Sequence, residues 1–162
     1  MYIERLMREV IDLSASAVHQ PGRAPFAAMV TRNGGTVATG LNDVNESLDP
    51  TAHGEILAIR AACRALGRTD LSDCDLYTSC EPCPLCTAAI SITKIRHIYY
   101  AVGRTQAREL LGNPPTNHPP LMRIEQVIND VSSPIDARSA PASQHLETDA
   151  SHALRLWRES CT

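Results

Sequence analysis

Cys80-Glu81-Pro82-Cys83-Pro84-Leu85-Cys86, taken with His53-Gly54-Glu55 upstream, is the stretch from which the rest of the chain can be read. One imidazole and two thiols spaced C-x-x-C are donors that zinc prefers, and the carboxylate two residues past the imidazole adds a proton carrier. With three protein ligands, zinc keeps its fourth tetrahedral position open, as catalytic rather than structural sites do. Cys83 and Cys86 fit the first turn of a helix whose start Pro82 marks, where unpaired backbone amides favour thiolates. His53 at the start of a second helix would set Glu55 beside the metal without making it a ligand. Cys80 offers a competing reading, because Cys80, Cys83 and Cys86 with His53 form a Cys3His set that would close the site as a structural zinc-binding module. Against it, Cys80 falls at the exit of a strand and before Pro82, outside the helical turn that aims the other two sulfurs. Cys63, Cys74 and Cys161 read as packing or surface residues.

Outward from this stretch, residues 75–79 form a short strand pattern that runs directly into the cysteines. Residues 83–93 carry a helix pattern, and the nearly continuous apolar run 95–102 is typical of a central strand. Strand, helix, strand in this order implies parallel pairing with a right-handed crossover. Upstream, Ile3, Leu6, Met7, Val10, Leu13 and Ala17 recur at three and four, predicting an amphipathic helix over 2–17 that Pro21-Gly22 ends. Residues 26–31 and 36–41 read as a hairpin about a tight turn at Asn33-Gly34-Gly35. Residues 42–50 are a polar loop, and 51–66 a helix stopped by Gly67. Past Gly103 the pattern predicts a short helix over 104–111, a proline-rich loop over 113–120, and a strand over 121–128. Residues 132–150 are polar and proline-bearing, a mobile loop by composition, and 150–160 close the chain with a helix. There is no internal repeat, and 162 residues with 43% hydrophobic content suit one domain over 1–162 with an ordinary core.

Composition narrows the function. A net charge of −3 and a pI near 6.0, with no basic stripe, argue against a nucleic-acid partner. Acids among the first apolar residues make neither a signal nor a transit peptide, and no apolar run approaches the length of a membrane span. A cytoplasmic location follows as the expectation, and there six cysteines point to metal or chance rather than disulfides.

Three-ligand zinc lowers the pKa of its water to about 7 and so supplies a nucleophile at neutral pH. Glu55 then serves as the proton shuttle, as a carboxylate taking a proton from the water and as a carboxylic acid protonating a ring nitrogen and, once reloaded from the newly added hydroxyl, the departing amine. Attack at an amino-bearing carbon of a heteroaromatic ring, followed by loss of ammonia, is hydrolytic deamination. Two further residues bear on the substrate. Asn42 follows a strand edge, where an amide reads a base edge in both directions or simply caps a turn. Phe26, the chain's one phenylalanine, stands at the start of the first strand as either a core residue or a stacking surface. His118, after Asn117, is a weaker candidate for substrate contact, and His19, His97, His145 and His152 have no partner at ligand spacing.

Asp49-Pro50-Thr51-Ala52-His53-Gly54-Glu55, then Ala58-Ile59-Arg60, and residues 76–86 together resemble the cytidine deaminase superfamily in its free-base and nucleoside branch. They look most like bacterial guanine deaminases and the related guanosine deaminases. The resemblance covers residues 25–102 well and the preceding helix by position. It implies an α/β fold, a mixed five-stranded sheet sandwiched by helices in three layers, and a homodimer. It also implies Zn2+ on His53, Cys83 and Cys86, Glu55 as the catalytic proton shuttle, Asn42 and Phe26 at the substrate, and Cys80 as a non-ligand. Guanine is therefore the first expected substrate, deaminated to xanthine. Gly54 departs from the alanine usual in guanine-specific members, and His-Gly-Glu resembles fungal cytosine deaminases, which makes cytosine or another pyrimidine or nucleoside the second. Asn117-His118 resembles tRNA adenosine deaminases, the third. Guanine deaminases place an acid past the fourth strand, where Glu109 is the one acid between Ala101 and Ile124 without a clear match in position.

Overall fold

The hairpin is built where the turn chemistry puts it. In the computed structural model, which describes residues 1–112 and 124–161, β1 (Ala27–Arg32) turns into β2 (Gly35–Leu41) through Asn33 and Gly34. Both turn residues have positive φ, 52° and 76°, as a tight hairpin with right-handed strand twist requires. β1 pairs antiparallel with β2 on one side and with β3 (Cys74–Cys80) on the other, and β3 pairs parallel with β4 (His97–Val102). The sheet order is β2-β1-β3-β4.

Side chains alternate between two cores, as period-two strands dictate. Ala28, Val30 and Leu76 face one core, joined by Ala58, Ile59 and Ala62 of α3 (Gly54–Leu66) and by Ile90 of α4 (Pro84–Ile92). Ala27, Met29 and Tyr77 face the other, against Leu6, Met7 and Val10 of α1 (Glu4–Ala15). Helices thus cover both faces, giving the three-layer α-β-α arrangement. The Tyr77 hydroxyl accepts the Ile3 N–H at 2.8 Å, tying the start of α1 to the middle of the sheet. Gly67, at φ 65°, ends α3, and the Arg68 N–H returns to the Cys63 carbonyl at 3.1 Å.

The structure corrects several expectations. The described residues hold a four-stranded sheet, not five strands. The strand expected over 121–128 is, from its first described residue, helix α6 (Ile124–Ser132), α2 being the single turn Val44–Ser47 in the polar loop and α5 Arg104–Leu111. Ile124, Val127, Ile128 and Val131 recur at three and four, a helical period that a strand reading of the segment overlooked. The apolar run 95–102 is typical of a central strand, but β4 ends the described sheet, and His97 and Tyr100 are exposed.

By internal contacts the chain divides into two compact units, Met1–Met122 and Arg123–Thr162. In the second, residues 133–146 are irregular but not structureless. They hold a short 3-10 turn, Ile135–Ala137, and the Ser139 N–H and hydroxyl both donate to Asp130 Oδ1 at 2.9 Å. The closing helix, α7, spans Glu147–Ser160, three residues earlier than the sequence pattern suggests. Among the described residues no helix is long and apolar enough to cross a membrane.

Candidate metal and catalytic centre

The approach to α3 is shaped by a side chain. Asp49 Oδ1 accepts the Thr51 N–H at 2.8 Å and the Thr51 hydroxyl at 2.6 Å, closing a turn across Pro50. Arg60, two turns into α3, reaches back to Asp49 and Thr51 at 3.3 Å each. The Thr51 bonds, more than Arg60, hold the Asp49 carboxyl below its usual range. The chain therefore arrives at His53 in an extended conformation, φ −70° and ψ 151°, and His53 becomes the N-cap of α3, its carbonyl accepting the Leu57 N–H at 2.9 Å. Glu55 then lies in the first helical turn, where a carboxylate is favoured by the helix dipole.

The second half of the centre comes from the loop between β3 and α4. Cys83 is the N-cap of α4, Pro84 takes the first helical position, and Cys86 lies inside the first turn. Two helix N-termini thus meet, which places orphan amides near both sulfurs.

His53, Cys83 and Cys86 form a group whose ligand atoms all lie within 4.8 Å of one another. His53 Nδ1 is 3.5 Å from each sulfur, and the two sulfurs are 3.6 Å apart. Zinc–sulfur bonds of about 2.3 Å and zinc–nitrogen bonds of about 2.0–2.1 Å give tetrahedral edges of about 3.8 Å between sulfurs and about 3.6 Å from sulfur to nitrogen. The three donors match such a face in chemistry and in spacing. Cys80 is outside the group, so among the described residues nothing makes it a fourth ligand.

These groups act on one another's protonation. The Cys83 thiol is pulled down to about 4, first by the hydrogen bond from Cys86 and then by His53. Cys86 is pushed up by sharing that hydrogen bond and by burial, because two adjacent thiolates repel. His53 is raised, chiefly by its hydrogen bond with Cys83. Glu55, only 6% exposed, is raised by burial above all. Its Oε2 lies 3.4 Å from Cys86 Sγ, and its Oε1 accepts from the Thr78 hydroxyl at 3.3 Å. A buried carboxyl touching a metal-ligand set, yet separate from it, can take up and give back a proton.

Asn42 and Phe26 are brought together by backbone, the Asn42 N–H donating to the Phe26 carbonyl at 2.9 Å. Asn42 is buried, and its Oδ1 accepts the Val44 N–H at 3.4 Å, which leaves the Nδ2 end of the amide as a donor. Phe26 is half-buried just before β1. Glu109 is exposed on α5, while Asn117 and His118 lie outside the described residues. Thr78 is the residue that sequence reasoning missed. Its signal was a hydroxyl on the inward face of β3, two residues past the core residue Leu76.

Comparison with known proteins agrees with this geometry. Residues 1–102 match the cytidine and deoxycytidylate deaminase zinc-binding region. A guanine deaminase of Bacillus subtilis is 34% identical over 155 residues, 96% of this chain and 93% of that protein. The X-ray structure of guanine deaminase from Bacillus subtilis aligns with a TM-score of 0.84 and 33% identity, covering 98% of this chain and 95% of that one. A tRNA-specific adenosine deaminase of Agrobacterium fabrum is 40% identical over 92 residues, 57% of this chain and 60% of that protein. The chain belongs to the cytidine and deoxycytidylate deaminase family, whose defining part is its zinc-binding region.

Proposed function

We propose that this deaminase hydrolyses guanine to xanthine and ammonia, with zinc held by His53, Cys83 and Cys86. When bound, zinc supplies the Lewis acidity that makes water a nucleophile near neutral pH. Glu55 takes one proton from the attacking water and passes it to a ring nitrogen, then takes the second from the hydroxyl on the tetrahedral carbon as the carbonyl forms and gives it to the departing amine. Its burial favours the protonated form in which that proton is stored. Asn42 offers the base edge a donor through Nδ2, and Phe26 a ring face for stacking.

One observation carries guanine ahead of the alternatives. The likeness to the Bacillus guanine deaminase extends over 96% of the chain, including the residues beyond β4, whereas the likeness to the tRNA-specific adenosine deaminase covers 57%. The residues outside that shared part are the ones available to distinguish a free base from an RNA loop. We further place the chain in the cytoplasm as a homodimer acting through one deaminase domain. Its six free cysteines support a reducing compartment, and exposed Leu154, Leu156 and Trp157 on α7 support assembly.

The test is ammonia release from guanine, cytosine, their nucleosides and a tRNA anticodon hairpin by zinc-loaded protein. Guanine should have the highest kcat/KM. A higher value for cytosine or for the hairpin overturns the choice of base, and release from none of them overturns the reading as a whole.

A further inference from the structure

We propose that Thr78 is a positioning residue that holds the Glu55 carboxylate in its working orientation. The inference rests on the proton-shuttle reading of Glu55. Thr78 is 2% exposed on β3, and its hydroxyl has three acceptors within reach: Cys80 O at 3.0 Å, Glu55 Oε1 at 3.3 Å and Ala27 O at 3.3 Å. A hydroxyl carries one hydrogen, so these bonds are alternatives or share it.

The two oxygens of Glu55 meet different neighbours. Oε2 faces Cys86 Sγ at 3.4 Å, and a sulfur acting as a metal ligand has no proton to donate. Thr78 is then the side-chain donor left to the carboxylate among the described residues. The carboxylate also accepts from its own backbone N–H, but the terminal torsion of a glutamate is broad and roughly two-fold, and that single bond leaves open which oxygen faces the sulfurs. A second bond, from Thr78 to Oε1, fixes that choice and keeps Oε2 toward the metal-ligand set. The bond comes from β3, whose next residues lead to Cys83 and Cys86, so one strand sets both the ligands and the shuttle. The bland role for Thr78, satisfying the carbonyls of Cys80 and Ala27, predicts different measurements.

The experiment compares Thr78→Val, which keeps the shape without the hydroxyl, with Thr78→Ser, which keeps the hydroxyl. Each is also made in a Glu55→Gln background. We expect Thr78→Val to lower kcat for guanine ten- to hundredfold, the scale of one hydrogen bond to a charged group, with KM within twofold. Zinc content by mass spectrometry and Tm should stay at the parent values, and Thr78→Ser should recover kcat to within threefold. In the Glu55→Gln background Thr78→Val should cost nothing further, because the group it positions no longer shuttles. Thr78→Val within twofold of the parent overturns the proposal, as does a loss equal in both backgrounds, loss of zinc, or no recovery in Thr78→Ser. Should Thr78→Val fail to fold, Thr78→Ala carries the same comparison. Near-parental turnover in Glu55→Gln alone is the separate result that sinks the role of Glu55 and this inference with it.

Discussion

Gly40→Ala should damage catalysis from the strand at the edge of the described sheet. Gly40 lies in β2, and a Cβ built there would sit 2.2 Å from the Gly54 carbonyl oxygen, 2.6 Å from the Ala58 nitrogen and 2.9 Å from Leu57 Cβ. Two of these three are backbone atoms of α3, the helix capped by His53 and carrying Glu55, so no side chain can turn aside to make room. Restoring ordinary contact needs a shift of about 1 Å at the start of that helix. Overpacking of this kind costs about 1–3 kcal/mol, and at about 2–4 °C per kcal/mol for a chain of this size Tm should fall by about 2–12 °C. A displacement of about 1 Å in a catalytic group costs on the order of a hundredfold in rate. Differential scanning fluorimetry and ammonia release on the same zinc-loaded preparation measure both. Gly67→Ala is the control, since Gly67 at φ 65° has nothing within 4 Å of a built Cβ. Strain there should lower Tm, at about 1–2 kcal/mol, and leave kcat/KM alone. A Gly40→Ala protein with Tm within 1 °C and kcat/KM within twofold of the parent would refute the reasoning.

Two further outcomes test the site itself. Cys83→Ala and Cys86→Ala should each lose the metal and fall in stability, since each ligand holds a helix start against the ion, while Cys80→Ala should keep one zinc per chain; zinc lost with Cys80 would restore the closed structural site. Asn42→Ala should cost about 2–4 kcal/mol in kcat/KM for guanine by leaving a buried base edge unpaired. It should barely move Tm, because Asn42 Oδ1 makes one long bond, to Val44 N at 3.4 Å, and equal losses for guanine and cytosine would remove Asn42 from base choice.

The parts of this fold that show in the sequence are those set by short-range chemistry. Asn33-Gly34 specifies a hairpin turn because both residues tolerate positive φ, and Gly67 specifies a helix end for the same reason. His53, Cys83 and Cys86 were legible as a set because zinc imposes residue types and spacing that few other constraints produce. Thr78 was not legible, because its partner Glu55 is 23 residues away and only sheet register brings the two together. The segment past β4 misled for a different reason. Over a few residues, apolar positions three and four apart overlap with alternation, and length alone separates the two readings. β4 misled because apolar content does not say which neighbour a strand has. Its Tyr99 gives one face to an aromatic cluster with Tyr77 and Tyr2, at ring distances of 4.7 and 5.6 Å, which makes the strand look more central than its place in the described sheet.

Gly54 has a packing role beside any bearing on the substrate. Set between His53 and Glu55, it invites interpretation as a mark of substrate class, and by that reading His-Gly-Glu points to cytosine. A Cβ at Gly54 would meet the Phe26 carbonyl oxygen at 2.7 Å, Ala27 Cα at 3.1 Å and the Gly40 carbonyl oxygen at 3.1 Å. All three are backbone of β1, of β2 or of the residue leading into β1. The missing methyl group therefore makes room for the sheet, and what it governs is how closely α3 approaches the strands. Gly40 and Gly54 face each other across that approach, a Cβ at Gly40 lying 2.2 Å from the Gly54 carbonyl oxygen and one at Gly54 3.1 Å from the Gly40 carbonyl oxygen. A chain with alanine at the second position would need more space between helix and strands, so the two positions answer to each other before either answers to the base. Asn42, two residues past Gly40, inherits its position from the same close contact.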